Sequence, residues 1–598
     1  MRRFQVRTIA IAVIAGALLV GLALWRLVPS SDPPVSVVQV RRPPPGYDLR
    51  NSQIALKQNV AFNRSPHVPP QCYTETRSAD GGVHNPCYTC HIEARRPNFI
   101  DDEELQQTYA FLPASRTNPW TNLFVDWSPR LSTIGDDEII AHIRQDNYAA
   151  PGGGNVLATI LRNVPSAWDS NEDGRWNGYI PDAHFRFDAK GFDRGPDGGY
   201  SGWRAYAYRP VPGTFWPTNG SVGDALLRLP SAYRERTSGE FDLEAYELNL
   251  AVVQALIQRR NVPLAGVDEL TWGVDLDLNG RLGRAHQVTF KESAEGEGSP
   301  MSYVGQAQLA QKAGQIQLVA GLYPQGTEFL HSVRYLEPEG TAVGMAARMK
   351  ELRYARKVEW WSTERLSKRA RREVAEAEDS PRDQKQFGGD FETGLDNGQG
   401  WRLQAFIEDR AGALRPQSFE ETAYCIGCHG GLGATDDSIF SFGRQLDDSA
   451  FQAGWFHWSQ HDLAGTPDRR TPSGTSEYVD YLEHNGAGDE FRQNTEIQER
   501  FFASDGKLKP AMRKRLQADV TEVLLPSRER ALALNKAYRL LVLEQSFRLG
   551  RDLVLDGARH VHRQVEPEAA TGISEAVKPR WVEPQAGVAA RSAPTPTP

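Results

Sequence analysis

The sequence predicts an α+β protein in which two mainly helical segments flank a β-rich central domain, behind a transmembrane helix at the N-terminus. The central domain is predicted from apolar residues that alternate with polar ones, as in residues 184–187 and 315–319. The flanking segments are predicted to be helical because acids precede apolar residues at 136–143 and apolar residues recur through 528–549. Residues 9–25 carry no charge and predict the transmembrane helix.

Two short motifs carry the chemistry of this sequence. The first is Cys87-Tyr88-Thr89-Cys90-His91, and the second has the same pattern at Cys425, Cys428 and His429. Two cysteines separated by two residues and followed at once by histidine are typical of the attachment site of c-type haem, in which the thiols bind the vinyl groups and the imidazole binds iron.

Other uses of a Cys-x-x-Cys pair fit this sequence less well. A structural zinc site needs two more thiolate or imidazole ligands, and a redox dithiol does not need a histidine after its second cysteine. The chain therefore resembles the c-type cytochromes with two haems, at these two pentapeptides and their surroundings. The resemblance implies two covalently bound haem c groups, with His91 and His429 as iron ligands.

The domain organisation follows from composition and from the two motifs. Prolines after the apolar run predict an extended linker, and the last residues, Ala-Pro-Thr-Pro-Thr-Pro, predict a disordered tail. A basic amphipathic helix is predicted at 345–357. The predicted parts are an anchor or signal (1–30), a linker (31–50), a cytochrome c-like first haem domain (51–150), a β-rich central domain (151–343), a second haem domain with C-terminal helices (344–560) and a disordered tail (561–598).

The N-terminus predicts export. Arg2, Arg3 and Arg7 precede the apolar run at 9–25, an arrangement that keeps the N-terminus in the cytoplasm and places the remaining chain outside. We therefore expect a single-pass protein of the inner membrane with most of the chain in the periplasm. Cleavage of the segment as a signal peptide is the alternative, and the chain is then exported without an anchor.

The sixth ligand of the first haem iron is not a nearby methionine, because the sequence has no methionine between Met1 and Met301. His142 is one candidate, since it lies on a predicted helix that can fold back over the haem. Cys72 is another, since it is the one cysteine outside the two motifs. An imidazole or thiolate ligand in place of methionine lowers the reduction potential.

The second haem has its own candidates for the sixth ligand. His457 and His461 are four residues apart and share one face if a helix begins near Trp455. His331, on a predicted strand of the central domain, is a further histidine that can reach a haem across a domain interface.

Two acidic loops predict possible calcium sites. Each places oxygen-bearing side chains at alternate positions before a glycine, as in the first half of an EF-hand loop. The residues are Asp169, Asn171 and Asp173 in one loop, and Asp275, Asp277 and Asn279 in the other. Neither loop has a glutamate at the twelfth position, where Ile180 and His286 stand. The alternative is a pair of Asx turns that bind their own backbone.

Charge argues against a nucleic-acid partner. The chain of 598 residues has a net charge of -8, and its dense basic run at 368–372 is short. With four cysteines in the two motifs, Cys72 has no cysteine partner left for an intramolecular disulfide.

These features predict a membrane-anchored periplasmic di-haem cytochrome c that transfers electrons to and from periplasmic or membrane redox partners. The first alternative is an enzyme similar to di-haem peroxidases or oxygenases, in which one haem keeps an open coordination position. The gap between the motifs, 334 residues (425 − 91), is wider than that resemblance implies. The second alternative is a haem-based sensor or binding module.

Overall fold

The computed structural model describes residues 56, 63, 65–77, 83–93, 98, 103–213, 219–293, 298–339, 343–379, 387–446, 454–461, 463–470, 474–485 and 494–578. All of them belong to the unit Leu49–Pro598, and the other unit, Met1–Asp48, lies outside the described residues. The predicted anchor and linker fall there, outside the described part. Among the helices that the structure does describe, none has the length and apolar character needed to cross a bilayer.

A large antiparallel sheet organises the described residues. The strands are β1 (Thr76–Arg77), β2 (Val83–His84), β3 (Phe192–Arg194), β4 (Tyr200–Ala205), β5 (Val222–Gly223), β6 (Leu226–Arg228), β7 (Val262–Asp268), β8 (Arg284–Val288), β9 (Glu328–Glu337), β10 (Gly344–Lys357), β11 (Gly389–Asp390), β12 (Gly394–Asp396), β13 (Trp401–Glu408) and β14 (Leu414–Pro416). Ten of them form one sheet in the order β11-β12-β13-β10-β9-β6-β4-β3, with β14 paired to β13 and β5 to β9. β1 pairs with β2, and β7 with β8.

The helices lie between and after these strands. They are α1 (Ser128–Leu131), α2 (Asp136–Arg144), α3 (Val156–Arg162), α4 (Leu243–Gln258), α5 (Glu269–Trp272), α6 (Gly305–Lys312), α7 (Thr363–Asp379), α8 (Phe419–Ile426), α9 (Ser441–Arg444), α10 (Glu477–His484), α11 (Thr495–Phe501), α12 (Pro510–Ala518), α13 (Thr521–Leu524) and α14 (Arg528–Glu544). The helices predicted near 136–143 and from 528 onwards are confirmed as α2 and α14.

Strand β10 corrects the helix predicted at 345–357. Its 14 residues pair with β9 on one edge and with β13 on the other. Methionine, arginine, lysine and leucine favour helices in isolation, but pairing on both edges and burial between two strands outweigh this weak preference. The centre of the sheet is therefore built from a segment with a helical sequence pattern.

The sheet has one face that carries the helices and the second motif. Tyr335 of β9 and Ile407 of β13 are fully buried there against α2 and α14. Further along the same strands, Phe329, Ala355 and Leu403 pack in the cluster that includes α4 and the end of α8. The opposite face is covered by α3 and by the loops around residues 168–187.

The predicted fold class, α+β with two mainly helical cytochrome c-like haem segments flanking a β-rich central domain, is wrong. Residues 344–416 contribute β10 to β14 to the same sheet as β3 to β6 and β9. The first segment contains short 3₁₀ turns besides α1 and α2, and α2 packs on this sheet. The second motif ends a helix that packs on this sheet, whereas the first lies in a 3₁₀ turn. Non-local strand pairing, which sequence periodicity does not report, joins the predicted central and second haem domains.

The chain ends beyond 560 also differ from the prediction of a tail disordered throughout. Thr74 bridges Val561, Thr117 bridges Gln564, and Thr108 bridges Ala570. Val561 and Val565 are buried beside Tyr73, Tyr109 and Trp120. Residues 561–578 therefore support the segment that carries the first motif, while 579–598 lie outside the described residues.

Candidate functional site

The first motif lies in a 3₁₀ turn, Pro86–Thr89, whose geometry is fixed by a buried asparagine. The side-chain oxygen of Asn85 accepts the Cys87 N–H at 3.0 Å, and its amide donates to the Tyr109 hydroxyl at 2.7 Å. The His91 N–H donates to the Cys87 carbonyl at 2.8 Å, which continues the turn to the histidine. Both cysteines and His91 are thus presented from one compact turn.

The second motif ends helix α8. Ser418 and Glu421 form a capping box at the start of this helix, and Glu421 also pairs with Arg415 at 2.9 Å. At the other end, the Cys428 and His429 N–H groups donate to the Cys425 carbonyl at 3.2 and 3.0 Å. A well-defined helix therefore places the two thiols and the imidazole.

The two motifs meet in the fold, although 334 residues separate them (425 − 91). The Ala434 N–H donates to the Cys90 carbonyl at 3.1 Å. A Cβ atom on Gly433 would stand 2.1 Å from the Ile92 carbonyl oxygen, so only glycine fits this contact. The amide of Asn98 donates to the Leu432 carbonyl at 2.8 Å. We call these contacts between residues 90–98 and 432–435 the motif junction.

A cavity of about 210 Å³ borders the second motif. Cys425, Cys428 and His429 line one side, and His331 and Arg353 from the sheet line the other. The Nδ1 atom of His429 lies 2.8 Å from the Ser438 carbonyl oxygen, so it donates there and leaves Nε2 as the ligand nitrogen. Burial lowers the pKa of His429 to about 4, which keeps the imidazole in the neutral form that binds iron.

Charged side chains line the same cavity. Glu351 pairs with Arg353 at 2.9 Å and with Arg551 at 2.6 Å. Burial opposes ionisation of Glu351, but the two arginines outweigh it and lower the pKa to about 2. Two guanidinium groups against one carboxylate leave a net positive charge, which suits an anionic group on a ligand.

A second cavity, of about 630 Å³, borders the first motif. Tyr88 and Thr89 line it from the motif, and Arg259 and Arg260 line it from the end of α4. Among the described residues that line it, Cys87, Cys90 and His91 are absent. Arg444 and Val211 line both cavities, so the two spaces are neighbours on either side of these residues. Each motif thus has a cavity of its own, and both cavities carry arginines.

The donor set of each motif fits a haem group. Each motif offers two thiols for thioether links and one imidazole for the iron, and arginines line both cavities, where they would neutralise propionates. Burial raises the pKa of Cys87 to about 12, and it raises the pKa of Cys428 well above its ordinary value. The free thiols are therefore protonated and inert until they react with a group placed beside them.

His142 lies away from both cavities. Its Nε2 atom is 3.0 Å from Glu408 Oε1, and its ring contacts Tyr335 edge-on at 5.8 Å. Burial lowers the pKa of His142, although Glu408 acts in the opposite direction. The structure gives this predicted ligand a place between α2 and the sheet and does not bring it to either motif.

The predicted histidine pair is separated from the second motif. No helix begins near Trp455, so His457 and His461 do not share a helical face. His457 is buried, with Nε2 at 3.0 Å from Asp224 Oδ2 and Nδ1 at 2.7 Å from the Ser459 hydroxyl. Both ring nitrogens are therefore engaged, and His461 is exposed.

Cys72 lies beside the first motif, in the 3₁₀ turn Pro70–Tyr73. Burial raises its pKa well above the ordinary value, and the neighbouring Cys87 and Cys90 raise it further. Cys428 is also within electrostatic reach of Cys72 and Cys90. The structure thus gathers cysteines of both motifs around Cys72.

The first acidic loop binds its own backbone. Asp169 accepts the Gly174 N–H at 2.9 Å, and Asn171 accepts the Asp173 N–H at 3.1 Å. Glu392, which is buried, accepts N–H groups from both ends of this loop. These hydrogen bonds match the Asx-turn alternative.

The second acidic loop gains a carboxylate that the sequence pattern did not indicate. Carboxylate oxygens of Glu269, Asp275 and Asp277 lie within 4.8 Å of one another. Glu269 is fully buried and accepts the Leu276 N–H at 2.6 Å and the Gly283 N–H at 2.9 Å. The EF-hand pattern begins at Asp275 and continues towards the C-terminus, whereas Glu269 precedes the loop.

Together these features define a class: an antiparallel sheet protein that joins two Cys-x-x-Cys-His motifs at one junction. A family model described as "-like lipoprotein" matches residues 56–518. An "Uncharacterized lipoprotein" of Aquifex aeolicus (strain VF5) is 31% identical, over 82% of this chain and 86% of the relative. The chain belongs to this lipoprotein family, and it is an exported, membrane-anchored protein. No solved structure matches it.

Proposed function

We propose that the chain is a membrane-anchored periplasmic di-haem cytochrome c that transfers electrons. The observation that carries this proposal is the motif junction: two haem-attachment motifs, far apart in sequence, meet through backbone contacts and each borders its own cavity. A bound haem supplies an iron that exchanges one electron at a time. Two such groups on adjoining turns allow an electron to pass between them within one chain.

The residues of the chain have separate tasks in this proposal. Cys87, Cys90, Cys425 and Cys428 fix the two groups covalently, and the neutral imidazoles of His91 and His429 bind the irons. Arg353 and Arg551 at one cavity, and the arginines after α4 at the other, neutralise propionate charge. Electrons enter and leave through periplasmic or membrane redox partners.

The proposed anchor is the apolar run at 9–25, which crosses the inner membrane once. No cysteine occurs among residues 1–71 of the sequence, and Cys72 belongs to the buried surroundings of the first motif. The sequence therefore offers no cysteine next to the apolar run for the attachment of a lipid. Replacement of residues 1–30 by a cleavable export signal is expected to release the protein into the periplasm, and retention in the membrane contradicts the proposed anchor.

The test of the di-haem proposal is a count of bound haem in the exported protein. Pyridine haemochrome spectra and intact mass are expected to show two covalent haems, one after Cys87→Ala with Cys90→Ala, and one after Cys425→Ala with Cys428→Ala. Cys72→Ala is the matched control, since this cysteine is outside both motifs, and it keeps two haems. A wild-type protein without haem contradicts the proposal.

A second candidate function, a peroxidase-like or oxygenase-like enzyme, is favoured by the position of His142. This predicted sixth ligand of the first iron lies 3.0 Å from Glu408 and does not line the larger cavity beside the first motif. An iron there with an open position binds cyanide or peroxide. Optical spectra with these additions distinguish the two functions, because two haems that ignore both additions exclude the enzyme.

We also propose calcium at the second acidic loop, with Glu269 as a ligand beside Asp275 and Asp277. Calcium at 100 times its Kd stabilises a folded protein by about 2.7 kcal/mol, so a chelator is expected to lower the melting temperature and added calcium to restore it. Glu269→Gln removes this response, whereas Glu392→Gln at the first loop keeps it. Absence of calcium by elemental analysis, with no effect of the chelator, contradicts the proposal.

A further inference from the structure

His331 stands on the wall of the cavity that faces the second motif. It lies on β9 directly opposite Arg353 of β10. Alternation along β9 places Phe329, His331 and Val333 on one face of the sheet, and all three line this cavity.

The imidazole of His331 is oriented by the backbone. Its Nδ1 atom is hydrogen-bonded to the Asp224 carbonyl oxygen, which makes Nδ1 the donor and leaves Nε2 as the ligand nitrogen. Gly223 lies against the edge of the ring, since a Cβ atom there would stand 2.5 Å from Cε1 and 3.1 Å from Nε2 of His331. The ring is thus held on both sides.

Asp224 is itself fixed by a buried network. Its N–H donates to the Ser332 carbonyl at 3.1 Å, and its carboxylate accepts the Ser332 N–H at 2.6 Å. His457 closes the network at 3.0 Å from the same carboxylate. Asp224 and His457 are both buried, so the carbonyl group that holds His331 has little freedom. The sequence predicts His457 as an iron ligand. In the structure it instead positions Asp224, whose carbonyl group holds His331.

His331 and His429 have matching arrangements in the lining of one cavity. Each directs Nδ1 to a backbone carbonyl, of Asp224 and of Ser438 respectively. The two side chains line the same space, and they are close enough for a charge on one to affect the other.

We propose that His331 is the distal ligand of the iron held at Cys425, Cys428 and His429. This inference rests on the proposed function and makes the second haem a six-coordinate group with two imidazole ligands. Two imidazoles give a lower potential than imidazole with methionine, and they leave no position for peroxide or oxygen. The second haem is then the electron-transfer group of the chain, and any reaction with an added ligand occurs at the first.

The test uses the full exported protein with its haem count measured first. In His331→Ala, we expect the haem content to stay at two while the ferric low-spin signal of the haem at Cys425 and Cys428 in electron paramagnetic resonance is lost, since that iron loses its sixth ligand. Added imidazole restores the signal. In His331→Met, the low-spin signal remains and the potential of one haem rises. His142→Gln is the matched control, a half-buried histidine of α2 that packs against the same sheet face and lines neither cavity, and it changes neither signal.

The outcomes separate the inference from the function on which it rests. Two haems in His331→Ala with an unchanged low-spin signal overturn the ligand assignment and leave the di-haem cytochrome standing. Loss of the signal in His142→Gln also overturns the assignment. A wild-type protein with no haem at Cys425 and Cys428 removes both. If His331→Ala fails to fold, His331→Met decides, because an unchanged potential contradicts the assignment.

Discussion

The two Cys-x-x-Cys-His motifs share their cysteines and histidine but are supported by different parts of the molecule. The second motif ends a capped helix that packs on β12 and β13 of the sheet. The first lies in a single 3₁₀ turn, which has little stability of its own. The shared pattern therefore does not specify its scaffold. The second motif belongs to the core, and the first is held by its neighbours.

Those neighbours are distant in sequence. The bridges from Thr74 to Val561 and from Thr108 to Ala570 fix the segment around the first motif to the C-terminal residues. Gln106 exchanges two hydrogen bonds with the backbone of Val577, at 2.9 and 2.7 Å. With the motif junction, these contacts surround the first motif. Perturbations of them are expected to affect the first haem more than the second.

Deletion of residues 561–598 is expected to have the largest effect. It removes buried Val561 and Val565, and burial of a valine contributes about 1.5–3 kcal/mol. We expect the variant to retain the haem at the second motif and to lose the haem at the first, as measured by peptide mass after proteolysis. Deletion of 579–598, which leaves these contacts intact, is the control. Equal loss of both haems after deletion of 561–598 contradicts the expectation that these residues support the first motif more than the second.

Gly433→Ala tests the motif junction. Its Cβ atom would stand 2.1 Å from the Ile92 carbonyl oxygen, and forcing an extra carbon into such a contact costs about 1–3 kcal/mol. Unfolding by denaturant measures this cost. Gly388→Ala is the control, because no atom lies within 4 Å of a Cβ atom at that position. The junction is dispensable if both variants unfold at the wild-type midpoint.

Asn85→Ala is expected to release the first motif alone. The substitution leaves the Cys87 N–H without its side-chain acceptor and removes one of the partners of the Tyr109 hydroxyl, which costs about 2 kcal/mol for buried groups. Hydrogen exchange is expected to speed up in residues 83–93 and to stay slow in 419–429. In Asn163→Ala, which changes an exposed asparagine, both regions keep their rates. Faster exchange in both regions after Asn85→Ala is the contrary result.

The smallest expected effect is a pH dependence at the first motif. His484 packs on Tyr88 with ring centroids 5.7 Å apart, and the hydrogen bond that its Nδ1 donates to the Asp480 carboxylate, together with the charge of that carboxylate, raises the pKa of His484. A raised folded pKa gives stability that is present below the unfolded value of about 6.5 and is lost as the pH rises through the folded pKa. Because the ring is partly exposed, about 0.3 kcal/mol is expected.

Hydrogen exchange of the first motif between pH 6 and pH 8 measures this dependence, and His484→Gln abolishes it. The second motif is not in contact with His484 and serves as the internal control. An equal pH response of both motifs contradicts the assignment to His484.

The sequence by itself determined the chemistry of the two sites. Each motif is local, so five consecutive residues place two thiols and an imidazole together in any fold that forms the turn. Helices α2 and α14 were predictable for the same reason, since acids in the first turn and apolar spacing act within one helix. The capping box at Ser418 is likewise a local pattern.

Tertiary structure alone decided what surrounds those sites. Strand β10 has a helical sequence pattern, and only pairing with β9 and β13 made it the centre of the sheet. The positions of His142 and His457 away from the cavities, and of His331 within one, depend on which strands lie side by side. Contacts such as Gly433 against Ile92 join residues that no periodicity relates, because side-chain spacing encodes which face is buried and not the partner that buries it.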